Sequence, residues 1–232
     1  MAEDVRRGYV VTGAGSGIGA AITRSLLGAG YSVVATGRTE QRLAALAEEA
    51  DAGERLTVTV ADAGSWEANE RVVELCADRY GRIDGVVANA GYTVPGDVRT
   101  SDVSLWPDMV ATNVLGPAYL ARAAATHLEA SGGRIVIIGS VAGHKNSPGN
   151  LYGATKWAAT GLAENLRMLF APVGVGVSLV SPGVVDTGFY PAGVPEVRIG
   201  PGEIAAAVQY VLECPSDVDL STVVVRPRRQ LL

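Results

Sequence analysis

The sequence predicts an α/β fold: a doubly wound parallel sheet of about seven strands with helices on both faces, forming a single domain over residues 1–232. Three observations carry this. Short apolar runs alternate along the chain with stretches whose apolar residues recur every three or four positions. The first apolar run leads through a glycine-rich loop into a helix, in Val10-Val11-Thr12-Gly13-Ala14-Gly15-Ser16-Gly17-Ile18-Gly19. Several later runs end in small hydrogen-bonding clusters, Asn89-Ala90-Gly91, Gly139-Ser140 and Ser181-Pro182-Gly183, as strands do where open sheets collect ligands.

The glycine loop reads as a phosphate cradle, because glycines let backbone N–H groups approach an anion and the following helix points its positive end at the same spot. Gly13, Gly17 and Gly19 give one dinucleotide spacing, and Gly15-x-Gly17-x-x-Ala20 satisfies a shorter one. Both registers place Ser16 and Ile18 at the loop-to-helix junction. Ile18, Ile22, Leu26 and Ala29 share one helix face, with Gly30 at the stop and a strand from Tyr31 to Ala35 beyond it.

That strand ends in Thr36-Gly37-Arg38, and no acid appears until Glu40. An acid here would accept from a free ribose 2′-hydroxyl, whereas the Arg38 fork matches a 2′-phosphate in shape and sign. The expected cofactor is therefore NADP(H) rather than NAD(H). Leu43, Leu46, Ala47 and Ala50 form the next helical stripe, and Leu56 to Ala61 reads as a strand ending at Asp62, within reach of an adenine edge. Ser65 caps a helix to Tyr80, and Ile83 to Val87 forms the fourth strand, closed by Asn89, Ala90 and Gly91.

A long alanine-rich helix is expected from Trp106 to Leu128, kinked just after Asn113 by Gly116-Pro117. Ile135 to Ile138 is the fifth strand, Tyr152 opens another helix, and Val175 to Val180 is the sixth strand. A helix from Ile204 to Leu212 and a strand from Thr222 to Val225 complete the pattern. Between 187 and 202 the turn formers and two aromatics, Phe189 and Tyr190, suggest a short substrate lid. His144, Lys145, Asn146 and Asn150 could add polar contacts from the loop facing it.

Composition narrows the function classes. With 48% hydrophobic and 19% charged residues the chain should fill a core, and a net charge of −5 argues against a nucleic-acid partner. Met1 to Arg7 carries both signs and no sustained apolar run follows, so neither a signal peptide nor a membrane span is expected and the location should be cytoplasmic. Cys76 and Cys214, the only cysteines, read as core or near-core residues, and with His127 and His144 the only histidines no metal site is expected.

Tyr152 and Lys156 share a helix face, and Lys156 is one of only two lysines in the chain. Here the motifs come together. Thr12-Gly13-x-x-x-Gly17-x-Gly19, Asn89-Ala90-Gly91, Asn113, Ser140, Tyr152-x-x-x-Lys156 and Pro182-Gly183-x-x-x-Thr187 resemble, in order and spacing, the short-chain dehydrogenase/reductase family across nearly the whole chain. The resemblance implies a Rossmann fold, a catalytic set of Asn113, Ser140, Tyr152 and Lys156, and a nicotinamide cofactor whose carboxamide meets Pro182, Gly183, Val185 and Thr187. It also implies a small carbonyl or alcohol substrate and a homodimer or homotetramer.

Those roles fit the chemistry of hydride transfer. A hydride reaching a carbonyl carbon leaves charge on oxygen, so a proton donor is needed. A free phenol titrates near ~10, and a neighbouring ammonium favours its phenolate. Tyr152 is then the acid/base and Lys156 supplies the charge and meets the nicotinamide ribose. Ser140 holds the substrate oxygen, and Asn113 anchors a water that links Lys156 to solvent. The sequence departs from the family in having Ala88 before Asn89, a Ser140–Tyr152 loop about one residue short, and Ser16 where many NADP-using members carry a base. An NAD(H) enzyme, or a dinucleotide-binding regulator without turnover, remain the alternatives.

Overall fold

The computed structural model describes residues 7–146, 148–149, 151–189 and 195–230. Seven parallel strands form one sheet in the order β3-β2-β1-β4-β5-β6-β7. They are β1 (Gly8–Val11), β2 (Ser32–Gly37), β3 (Leu56–Val60), β4 (Gly85–Ala88), β5 (Arg134–Ile138), β6 (Gly176–Pro182) and β7 (Thr222–Val225). The helices are α1 (Gly17–Gly28), α2 (Glu40–Ala50), α3 (Trp66–Tyr80), α4 (Trp106–Val110), α5 (Gly116–Ser131), α6 (Leu151–Phe170) and α7 (Pro201–Leu212).

Alternation along each strand divides the core into two layers, since neighbouring side chains point to opposite faces. Tyr9, Val11, Ala35, Val136 and Val180 pack under α1 and α7 with Ile22, Leu26, Ile204 and Val208. Val10, Val34, Ile135, Ile137 and Leu179 meet α3, α5 and α6 through Val73, Leu120, Ala124 and Ala159. Every strand of the parallel centre is buried on both sides, which is why β1, β4 and β5 read as continuous apolar runs.

Element boundaries moved by a turn or less. Ile83 is buried but precedes β4, and β6 starts at Gly176 and continues through Pro182. Ser65 does cap α3, accepting from the Ala68 N–H at 3.2 Å. The one large difference is the expected single helix from Trp106. It divides into α4, a π-helical turn over Ala111–Leu115, and α5. Pro117 has no N–H to donate to the carbonyl four residues back, that of Asn113, so the regular ladder fails there and the chain widens instead of merely bending.

Chain direction across the sheet reverses between β1 and β4: β2 and β3 build outward on one side, β4 to β7 on the other. At such a switch point the loops leaving the strand ends diverge and leave a crevice, and the glycine loop after β1 opens into it.

At the opposite end of the sheet Arg134 is buried. Its Nη2 donates to the carbonyls of Pro215 (2.7 Å), Val218 (2.7 Å) and Cys214 (3.3 Å), tying the turn after α7 to the start of β5. Arg134→Met strands these acceptors. Urea denaturation should show a loss of about 3 kcal/mol with an unchanged m-value.

Candidate functional site

The crevice floor is set by a clasp between the loops after β1 and β4. Thr12 Oγ1 accepts from the N–H groups of Asn89 and Ala90, both at 3.1 Å. In return Asn89 Nδ2 donates to the carbonyls of Thr12 (2.9 Å) and Gly13 (3.2 Å). The predicted Asn89 thus spends its amide donors on shaping the glycine loop. Gly13 and Gly17 have φ of +66° and +53°, in the region that favours glycine. A Cβ on Gly13 would come within 2.8 Å of Ala90 Cα, and one on Gly17 within 3.0 Å of Thr187 Cγ2.

Gly19 is not among the residues that line the cleft, and a Cβ on it would collide with Gly13 O and Asn89 Nδ2. Gly15, Ser16, Gly17 and Ile18 do line it. Ser16 is extended and makes no side-chain cap, and no acid occupies the first turn of α1. The first N–H groups of that helix are therefore left facing the cleft, where an anionic group satisfies both their hydrogen bonds and the helix dipole.

Along the β2 tip the cleft is lined by Gly37, Arg38, Thr39 and Arg42. Arg42, which the sequence reading missed, gives a second guanidinium one turn beyond the first, and its Cβ lies 3.2 Å from where a Cβ of Gly15 would sit. The signal was the four-residue spacing across the start of α2. Asp62 also faces the cleft, with Oδ1 accepting from the Gly64 N–H at 2.9 Å.

At the other end the cleft reaches Ser140, Tyr152 and Lys156. Lys156, only 5% exposed, donates from Nζ to the Ile138 carbonyl at 2.9 Å. Its ammonium lies 5.7 Å from the Tyr152 ring centre. Burial disfavours the charged form and lowers the lysine to about 8. Ser140 Oγ accepts from the Ala142 N–H at 3.1 Å, which leaves its proton to donate elsewhere. Gly143 allows this loop to lie flat on α6, since a Cβ there would approach Thr160 Oγ1 to 2.7 Å.

Asn113, 1% exposed, stands behind the cleft wall. Its Nδ2 donates to Tyr92 O (2.9 Å) and Thr155 Oγ1 (3.0 Å), and its Oδ1 accepts from Tyr92 N–H (3.1 Å). The Asn113 side chain is thus engaged with protein groups on both its amide atoms.

Pro182, Gly183, Val185 and Thr187 line the third wall, joined by Gly188 and Phe189. The C-terminal tail supports them: Gln230 Oε1 accepts from the Val184 N–H at 2.9 Å. Phe189 packs on Tyr152 with ring centres 5.4 Å apart. Together with Ala90, Gly91, Tyr92 and Thr93 these residues enclose ≈ 590 Å³, a volume suited to a dinucleotide and a small second molecule. His144 turns aside to Ser181 Oγ (2.8 Å), and Lys145 and Asn146 do not line the cleft. Asn150 and lid residues 190–194 lie outside the described residues. Among the described residues no helix is long and apolar enough to cross a membrane, and no group of three His, Cys, Asp or Glu could hold a metal ion.

Comparison with known proteins agrees with this arrangement. Residues 8–193 match the model of the family described as short chain dehydrogenase. The chain is 36% identical over 225 residues to an uncharacterised oxidoreductase of Staphylococcus saprophyticus, covering 94% of this chain and 96% of the relative. Among solved structures it is similar to an alcohol dehydrogenase from the archaeon Thermococcus sibiricus complexed with 5-hydroxy-NADP. That match has a TM-score of 0.88, 30% identity, and coverage of 97% and 98% of the two chains. A serine dehydrogenase complexed with NADP+ matches with a TM-score of 0.85 and 30% identity over 94% of both chains.

The depressed lysine makes a signed prediction. Below pH 8 both folded and unfolded chains hold the proton, and the folded one bears the full cost of a buried charge. As pH rises from about 8 towards the ordinary value of 10.5 the unfolded chain binds more protons, so folding gains. In the ligand-free protein, stability relative to Lys156→Met should therefore rise over this window, by up to about 3 kcal/mol. Paired urea titrations at pH 7 and pH 10 measure it.

Proposed function

The chain belongs to the short-chain dehydrogenase/reductase family of oxidoreductases, and from that premise we propose that it is an NADP(H)-dependent reductase of small carbonyls, or dehydrogenase of the matching secondary alcohols. The observation that carries this reading is the buried Lys156 ammonium beside Tyr152 at the inner end of a cleft whose outer end is glycine-rich and basic. When bound, the nicotinamide supplies or accepts the hydride.

Everything else falls to the chain's own residues. Open N–H groups at the start of α1 suit a pyrophosphate, and Gly13, Gly15 and Gly17 keep side chains out of its way. Arg38 and Arg42 meet a 2′-phosphate, with no acid at the β2 tip to repel it. Asp62 takes the adenine side, and Pro182 to Thr187 the carboxamide side. Two structural neighbours complexed with NADP+ or an NADP derivative support the same preference.

At the inner end, the Ser140 hydroxyl donates to the substrate oxygen while Tyr152 passes it a proton. Burial lowers Lys156 only to about 8, so it still carries its charge at neutral pH and favours the phenolate that Tyr152 becomes. The proton is replaced from solvent through Lys156 and water held by carbonyls of the Asn113 turn. Phe189 packed against Tyr152 narrows the inner end of the cleft, which suits small carbonyl and alcohol substrates. We assign the protein to the cytoplasm as a homodimer or homotetramer, whose state gel filtration with light scattering reads directly.

Two variants test the assignment. Tyr152→Phe should keep NADPH binding and lose roughly 10²- to 10⁴-fold in turnover across a carbonyl panel. Binding without NADPH consumption by either protein would instead favour a dinucleotide sensor. Arg38→Ala should weaken NADPH by about tenfold or more while leaving NADH affinity in place; equal losses for both would return the cofactor to NAD(H).

A further inference from the structure

Tyr92 joins the two ends of the cleft. Its N–H donates to Asn113 Oδ1 at 3.1 Å and its carbonyl accepts from Asn113 Nδ2 at 2.9 Å, so one buried amide fixes its backbone on both sides. Asn113 is anchored in turn on Thr155 Oγ1, which donates to the Tyr152 carbonyl at 2.7 Å. From this rigid base the Tyr92 ring faces the cleft, and its centre lies 5.1 Å from Arg38 Cζ.

The choice of an aromatic partner has a chemical consequence. Among the described residues Arg38 forms no salt bridge with a carboxylate. A carboxylate would hold the guanidinium still, but would also occupy its N–H fork and offset its charge. The Tyr92 ring, 5.1 Å from Arg38 Cζ, holds the guanidinium without bringing a formal negative charge, so the positive charge that a phosphate would meet is not offset.

We propose that Tyr92 is a specificity-determining positioning residue, whose ring orients Arg38 so that selectivity for NADP(H) over NAD(H) depends on both side chains. This rests on the NADP(H) reading above. It links the cofactor end of the site to the Asn113 turn, because the same amide that braces the helix break fixes the backbone from which the ring projects.

Calorimetric titration of the whole protein with NADPH and with NADH tests it, using wild type, Tyr92→Leu, Tyr92→Phe, Arg38→Ala and the Tyr92→Leu/Arg38→Ala pair. Tyr92→Leu should weaken NADPH by about 2- to 5-fold and leave NADH unchanged, Tyr92→Phe should restore the wild-type ratio, and Tyr92→Leu should add nothing once Arg38 is gone. Retained NADH affinity shows that each variant is folded. Equal weakening of both dinucleotides, or a Tyr92 effect that persists without Arg38, overturns the proposal. A lowered ratio in Arg38→Ala with no change in Tyr92→Leu removes this proposal alone; an unchanged ratio in Arg38→Ala removes the NADP(H) reading with it.

Discussion

An ammonium group almost sealed from water, with the Ile138 carbonyl as its hydrogen-bond acceptor, sits where three elements meet. Holding it there constrains all of them. β5 ends at Ile138, the residue whose carbonyl accepts from Lys156 Nζ. Gly91 leaves room beside it: a Cβ there would press on Asn113 Oδ1 at 3.1 Å, while 3.6 Å from Lys156 Nζ is ordinary contact. Gly143 must let the Ser140 loop lie against α6. The cost of burying the charge appears in the lowered lysine, and perturbation of that kind concentrates where proton chemistry is done.

A second constraint runs through Asn113. Pro117 breaks the helical ladder at the carbonyl of Asn113, and the resulting π-helical turn aims the Asn113 amide across at Tyr92 and Thr155. That amide fastens the loop after β4 to α6, the helix that carries Tyr152 and Lys156. The Thr12–Asn89 clasp does the corresponding work at the other end, fastening the same loop to the glycine turn. The segment from Asn89 to Tyr92 is therefore held from both sides, and both ends of the cleft are referred to one rigid strand end.

Much of this was legible in the sequence because it depends on backbone chemistry that few residue types can supply. Glycines at 13 and 17, a serine before α3 and period-matched apolar runs each have a local cause, and the seven-stranded parallel sheet follows from them. Tyr152 and Lys156 were legible for a similar reason, since helical spacing puts them on one face. Contacts between distant residues were not. The kink near Asn113 could be inferred from Gly116-Pro117, but not the partner that the Asn113 side chain finds 21 residues earlier at Tyr92. Gly19 fits the dinucleotide spacing, but its close packing on Gly13 O and Asn89 Nδ2 could not be read from that spacing. Arg42 looked like any charged residue on an exposed helix until the fold brought it beside Gly15.

In the proposed reaction, hydride and proton reach one substrate together at the inner end of the cleft. NADPH deuterated at both C4 positions, turned over with a panel of small ketones and hydroxy-acid precursors, tests this by mass spectrometry of the product. One deuterium on the new carbinol carbon is the result expected. NADPH consumed with no deuterium in any product, or dinucleotide bound tightly with no alcohol formed across the panel, would contradict it.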